Sequence, residues 1–167
     1  MKNITLDLLT ENSLPEAQAI DRSDVGEDFV DSVDTLMDLT REGLKRGYLG
    51  HTFLVRRESV CVGVLLLGEG IPWKTDPEEL QGVPFYRLMG FIMDRSCRGQ
   101  GIGSYAVEEA IRRIYTEYGP RPIVLGCHRD NLRGEAFWLR HGFQKTSVME
   151  EDDYYYIRPL VLEEPSA

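Results

Sequence analysis

The chain has 167 residues, with 19 lysines and arginines against 28 aspartates and glutamates, a formal charge of −9. That length suits one domain with its own core, and the acidic balance argues against nucleic acid or an anionic membrane as partner. Cys61, Cys97 and Cys127 are an odd set without paired spacing, so they read as neither a disulfide framework nor a zinc site.

The only short apolar run near the start is broken by Asp7, so no signal peptide is read there. No stretch approaches membrane-spanning length. The expectation is a cytoplasmic, metal-free single domain over residues 1–162, with a short acidic tail, 163–167, that frays. The negative field is compatible with a cationic substrate.

Ile4 to Leu9 alternates like a first strand, and Pro15 sits where a helix can begin, running to about Ile20. Asp21 to Asp28 is an acidic connection. Apolar residues at Phe29, Val33, Leu36, Met37 and Leu44 predict a second helix ending near Gly47. Its carboxylates, with Asp21, Asp24, Glu27 and Asp28 ahead of it, form either a solvated face or a rim that attracts an ammonium group. Thr52 to Arg57 and Val60 to Leu67 read as two strands about a polar turn. Glu69 stands at the exit of the second strand, between Gly68 and Gly70. Residues 71–84 form a long loop punctuated by Pro72, Pro77, Gly82 and Pro84, a length more often functional than idle. Its Trp73 reads equally as a lid over substrate or as an anchor for the loop.

The stretch Arg87 to Ser104, RLMGFIMDRSCRGQGIGS, carries the chemistry. A buried strand, about Tyr86 to Asp94, leads into Gly99, Gly101 and Gly103, and a helix face starts at Ile102 and continues to about Tyr118. A helix start presents unpaired N–H groups and partial positive charge. Glycine lets a ligand approach the backbone, and Arg98 adds a full charge, so the turn suits a phosphate or diphosphate. No lysine follows the glycines, which removes a Walker A loop. Gly101, Gly103 and Ala106 formally satisfy a dinucleotide fingerprint, but that motif should follow its strand directly and open its domain.

Pro122 to Cys127 is a short apolar strand, so strand, helix and strand imply a parallel crossover. Asn131 can cap a following helix that Gly142 closes. Gln144 to Glu150 and Tyr154 to Leu162 then read as two closing strands about an acidic turn. The fold class is α/β, a mixed sheet of about six or seven strands with helices on both faces.

Arg98-Gly99-Gln100-Gly101-Ile102-Gly103 resembles the [RQ]-x-x-G-x-[GA] motif of the GNAT superfamily of acyl-CoA-dependent N-acetyltransferases. Asn131 to Phe143 resembles that family's second signature, with Gly134 in the alanine place, Phe137 in the leucine place and Trp138 in the tyrosine place. The resemblance covers most of the chain and implies direct acetyl transfer from acetyl-CoA to an amine. It implies that the strand 86–94 splays from 122–127 and that the backbone of Ile92 and Met93 holds the pantetheine and polarises the thioester. It also implies that Arg98, Gly99, Gln100, Gly101, Ile102, Gly103 and Ser104 hold the diphosphate, with Asn131 near the pantetheine. The lead-in to the glycines is weakly similar to polyamine acetyltransferases, although Gly90 and Met93 break that match. Family members are often homodimers.

Two protons must move. Freeing a lysine-like amine at pH 7 costs about 4.6 kcal/mol, and a carboxylate is the usual acceptor. Glu69 is the first candidate. The departing thiolate needs a proton or leaves unassisted, and Trp138 is no acid. Tyr154, with Tyr155 or Tyr156 as alternatives, is the candidate donor. Without a donor, the chain reads alternatively as a non-catalytic acyl-CoA sensor.

Overall fold

The computed structural model describes residues 1, 3–26 and 28–161. A seven-stranded sheet runs in the order β1-β2-β3-β4-β5-β7-β6. Its strands are β1 (Ile4–Leu8), β2 (Gly50–Arg57), β3 (Val60–Glu69), β4 (Tyr86–Met93), β5 (Ile123–His128), β6 (Gln144–Glu150) and β7 (Asp153–Arg158). Tight turns join β2 to β3 and β6 to β7, and every neighbouring pair is antiparallel except β4 and β5. Those two are parallel because the long helix α3 (Ile102–Tyr118) connects them. Helices α1 (Leu14–Gln18), α2 (Val33–Arg46) and α4 (Leu132–Arg140) complete the order.

The sheet has an apolar layer on each face. Ala106, Val107, Ala110, Ile111 and Ile114 of α3 and Trp138 of α4 pack on Leu65, Leu67, Leu88, Met93, Leu125 and Tyr156. Ala17 of α1 and Val33, Leu36 and Met37 of α2 cover Leu54, Val64 and Ile92 on the other face. The spacing within α3 and α2 that predicts helices therefore also selects which side each one buries.

Boundaries moved where capping decided them. The second helix starts at Val33, not Phe29, because Ser32 caps it through Thr35 N–H. β3 continues through Gly68 to Glu69, held by β2 and β4 on both sides. The 71–84 loop holds a short 3₁₀ turn, Glu78–Leu80, and is fastened by Arg87 and Asp76. Glu27, Leu162 and the tail 163–167 lie outside the described residues.

Candidate active site

The site begins with one extra residue. Between the pairs Val64↔Ile92 and Leu66↔Met89, Gly90 and Phe91 stand opposite Leu65 alone. This is a β-bulge, which bends its strand and increases its twist. Gly90 takes φ +62°, and a Cβ there would lie 2.3 Å from Leu36 Cδ2, so glycine is needed for conformation and for space.

β4 and β5 pair only at Tyr86↔Ile123 and Arg87↔Val124. Beyond them the strands part and a cleft of about 1180 Å³ opens, floored by β4 and β5. Backbone direction alternates along a strand. Asp94 N–H donates to Val62 O at 2.7 Å on β3, and Ile92 pairs with Val64 on the same side. Phe91 and Met93 therefore aim their backbone groups at the open side. The expectation for Ile92 is corrected here: its backbone belongs to the sheet, its side chain packs with α2, and Phe91 lines the cleft in its place.

One wall is the glycine turn. Gly99 and Gly101 hold φ of +74° and +76°, which explains glycine at both. Gly101 is the N-cap of α3 and offers no side-chain cap. The first backbone bond into the helix runs from Tyr105 N–H to Gly101 O, which leaves the N–H groups of Ile102, Gly103 and Ser104 without helical partners. Helices α2 and α4 are capped by Ser32 and Asn131. The bare start of α3 at the cleft presents unpaired N–H groups and partial positive charge, the chemistry that favours an anion. A Cβ at position 103 would lie 3.2 Å from Phe91 Cζ, so glycine keeps the helix start close to the bulge.

The side chains of this turn divide. Arg98, Gly99, Gly101, Gly103 and Ser104 line the cleft. Gln100 instead braces the loop from outside, donating to Ser96 O at 2.6 Å, and Ile102 is buried under α3. Arg98 is already paired with Asp24 at 2.9 Å, and Arg133 approaches the same carboxylate at 3.4 Å. Hydrogen bonding from Arg98 holds the Asp24 carboxyl below its ordinary range. Ser104 Oγ lies 3.0 Å from His141 Nε2, whose Nδ1 meets Glu108 at 2.8 Å.

α4 forms the adjoining wall. Asn131 Oδ1 accepts from Gly134 N–H at 2.9 Å, so this side chain is the helix cap as well as part of the lining. A Cβ on residue 134 would lie 2.5 Å from Asn131 Nδ2, which accounts for glycine there despite its helix cost of about 1 kcal/mol. Trp138 stands edge-on to Phe91, Phe137 and Phe143 at centroid distances of 5.5, 4.8 and 5.3 Å. Trp138 is thus part of an aromatic wall.

The far mouth is acidic. Asp28 and Asp31 come from the segment before α2, and Glu150 and Asp153 from the β6–β7 hairpin. Burial raises the Asp153 carboxyl; His128 opposes that, while Glu150, Asp31 and Asp152 add to it. Trp73 stacks on the Arg87 guanidinium at 3.6 Å and also lines the cleft, so it is at once anchor and wall. Arg87 is tied to Asp76 at 2.8 Å in a nearly buried pair.

Two candidate proton-transfer residues stand elsewhere. Glu69 accepts from Leu49 N–H at 3.3 Å and lies outside the cleft lining. Tyr154 faces the α3–α4 core beneath Lys145, whose Nζ sits 4.3 Å from the ring centroid. Alternation turns Tyr155 to the cleft, where its hydroxyl meets Thr75 Oγ1 at 2.6 Å and Glu150 at 3.0 Å. Burial pushes the Tyr155 hydroxyl up to about 12. Burial also pushes the Cys127 thiol up to about 11, which leaves it a poor nucleophile at neutral pH. Among the described residues no cluster of three His, Cys, Asp or Glu is placed to hold a metal ion.

Phe91 and Asp153 line the cleft without standing among the sequence candidates. An isolated glycine inside a strand signals a bulge, so Gly90 was the available cue for Phe91. Asp153 carried no such cue among four acidic residues in a row.

The model of the acetyltransferase (GNAT) family matches residues 17–143. The chain is 26% identical over 110 residues to the ribosomal-protein-serine acetyltransferase of Escherichia coli K12, covering 66% of this chain and 55% of that protein, so it spans just over half the length of that curated relative. An N-acetyltransferase structure from Staphylococcus aureus Mu50 superposes with a TM-score of 0.66 at 16% identity, covering 95% of this chain and 99% of that one. Naa50 of Arabidopsis thaliana, solved with the bisubstrate analogue CoA-Ac-MVNAL, gives 0.63 at 17% identity over 93% of this chain and 97% of that one. With the bulged strand, the parted parallel pair and the bare glycine-rich helix start all present, the chain belongs to the GNAT acetyltransferase family, whose members move an acetyl group from acetyl-CoA to an amine.

Proposed function

We propose that the protein transfers an acetyl group from acetyl-CoA directly to the primary amine of a small cationic acceptor, such as a polyamine. The observation that carries this reading is the polarity of the cleft. Its α3–α4 end offers bare helical N–H groups with Arg98, Arg133 and Arg140; its other end offers Asp28, Asp31, Glu150 and Asp153. An anionic donor and a cationic acceptor are thus drawn to opposite ends.

The N–H groups of Ile102, Gly103 and Ser104 would hold the diphosphate, with Gly99 and Gly101 letting it approach. Backbone at Phe91 and Met93 would take the pantetheine and polarise the thioester carbonyl, a role in which preorganised N–H donors are effective. Arg98 and Arg133 would turn from Asp24 toward phosphate. Asn131 would shape the channel while capping α4. The aromatic group of Phe91, Phe137 and Trp138 would exclude water beside the sulfur. The thiolate leaves without the family's tyrosine, as a thiol of pKa about 8.5 is a fair leaving group.

A second acceptor class has a specific observation behind it. The curated relative is named for acetylating a serine of a ribosomal protein, and the Naa50 structure holds a peptide conjugate. An N-terminal amine of a protein would enter the same acidic mouth. The three cysteines are free and buried, in keeping with action in the cytoplasm. A homodimer is part of the same reading, and sedimentation tests it.

The test is thiol release from acetyl-CoA across spermidine, spermine, simple monoamines and peptides with free N-termini. Release that depends on a polyamine supports the first acceptor class, and release on peptides alone selects the second. Acetyl-CoA binding without turnover on any amine would replace the transferase by an acyl-CoA sensor.

A further inference from the structure

We propose that Asp153 is the general base that takes the proton from the acceptor amine. This rests on the transferase reading above. Asp153 opens β7, and its carboxylate reaches back over β5: a Cβ built at Gly126 would lie 3.3 Å from Asp153 Oδ2. Gly126 follows just beyond the last β4–β5 pair, where the strands have parted, and it lines the cleft with Asp153. The absence of a side chain at Gly126 therefore gives the carboxylate its place above the split.

The surroundings suit proton transfer. His128 of β5 pairs across from Asp153, Glu150 closes the β6 side, Asp152 precedes it, Cys127 lies below, and Asp31 faces it from the segment before α2. Among the described residues Asp153 has no ion-pair partner, unlike Asp24 and Asp76. Burial and three neighbouring carboxylates raise its pKa against the opposing His128, which brings the group toward the range where a base is effective. Glu150 is committed to the Tyr155 hydroxyl.

The step balances as follows. The acceptor enters as an ammonium ion, and the Asp153 carboxylate takes one N–H proton. The freed lone pair forms the C–N bond to the acetyl carbonyl carbon. The C–S bond breaks with its electron pair on sulfur, and a second N–H proton passes to that sulfur, giving the thiol. The third stays on the amide, and Asp153 returns its proton to water. One ammonium and one thioester thus give one amide, one thiol and one released proton.

The experiment compares wild type, Asp153→Asn and Glu69→Gln by acetyl-CoA calorimetry and by kcat/KM against pH with the best acceptor. Asp153→Asn should bind acetyl-CoA with unchanged affinity and lose about 100-fold or more in kcat/KM near pH 7. Its remaining rate should climb tenfold per pH unit toward the acceptor's own pKa, because only amine already neutral in solution reacts. Glu69→Gln should match wild type throughout. Wild-type turnover with an Asp153→Asn profile parallel to it, or within a few-fold of it, overturns the assignment alone. Wild type that binds acetyl-CoA and acetylates no amine overturns the transferase reading and the base together.

Discussion

Gly90→Ala is the sharpest perturbation of the bulge. At φ +62° an L-residue pays for the left-handed conformation, about 1–2 kcal/mol. The new methyl would also sit 2.3 Å from Cδ2 and 2.7 Å from Cγ of Leu36, a side chain with no exposed surface, so α2 must shift. Overpacking of that kind costs about 1–3 kcal/mol. The sum, about 2–5 kcal/mol, corresponds to a fall of about 4–20 °C in Tm for a chain of this size. If the strand relieves the strain by losing the bulge, Phe91 N–H turns back toward β3 and acetyl-CoA affinity falls at least tenfold. Gly47→Ala is the control: it has φ +69° but nothing within 4 Å of the new methyl, so it should lose only the conformational part and bind normally. Thermal unfolding and calorimetry read both. Equal losses of stability in the two variants, or a bulge lost with acetyl-CoA affinity unchanged, would refute the role given to the bulge.

Gly103→Val would bring its side chain against Phe91 and Phe137 and over the bare helix start, and acetyl-CoA binding of the folded protein should fall at least 100-fold in calorimetry, at a temperature well below the variant's own melting point. Arg87→Met leaves Asp76 charged and buried under the 71–84 loop. Such a broken pair costs about 3–5 kcal/mol, and thermal unfolding should show it. Asp153→Asn should raise the melting temperature at pH 7, because a carboxyl whose pKa is higher in the folded state penalises folding once ionised. The gain should shrink as pH falls through the raised pKa and vanish below the ordinary carboxylate value, where wild type is protonated in both states. The Asp24 carboxyl, lowered by Arg98, has the opposite sign: its stabilisation is full above the ordinary value and is lost at lower pH. Asp24→Asn should therefore flatten the acid limb of the stability curve measured by denaturant titration.

The parts of the site that depend on local chain order were legible in the sequence. Strand, glycines and helix are contiguous from residue 86 to 118, so period and composition suffice to place the glycine turn and the start of α3. α4 was legible for the same reason, down to its Asn131 cap. What failed was the assignment of faces. Ile92 and Phe91 differ by one position, and the bulge at Gly90 flips which of them faces the gap. Glu69 is a candidate acceptor by its place at a strand exit, yet the end of β3 lies against Leu49 and outside the cleft lining. Tyr154 and Tyr155 are adjacent, and only the register of β7 on β5 decides between them. Asp153 depends on that register and on a glycine 27 residues earlier (153 against 126), a relation that no window along the chain contains.

The most direct measurement is a titration of the isotope-labelled protein with acetyl-CoA, followed by backbone amide NMR. The account predicts large shifts at Phe91 and Met93, at Gly101 to Ser104, and at the Arg98 and Arg133 side chains as they leave Asp24. Ile92 and Gln100 should move less than their neighbours. Shifts confined to other faces of the sheet, or an Ile92 amide that responds more strongly than Phe91 and Met93, would contradict it.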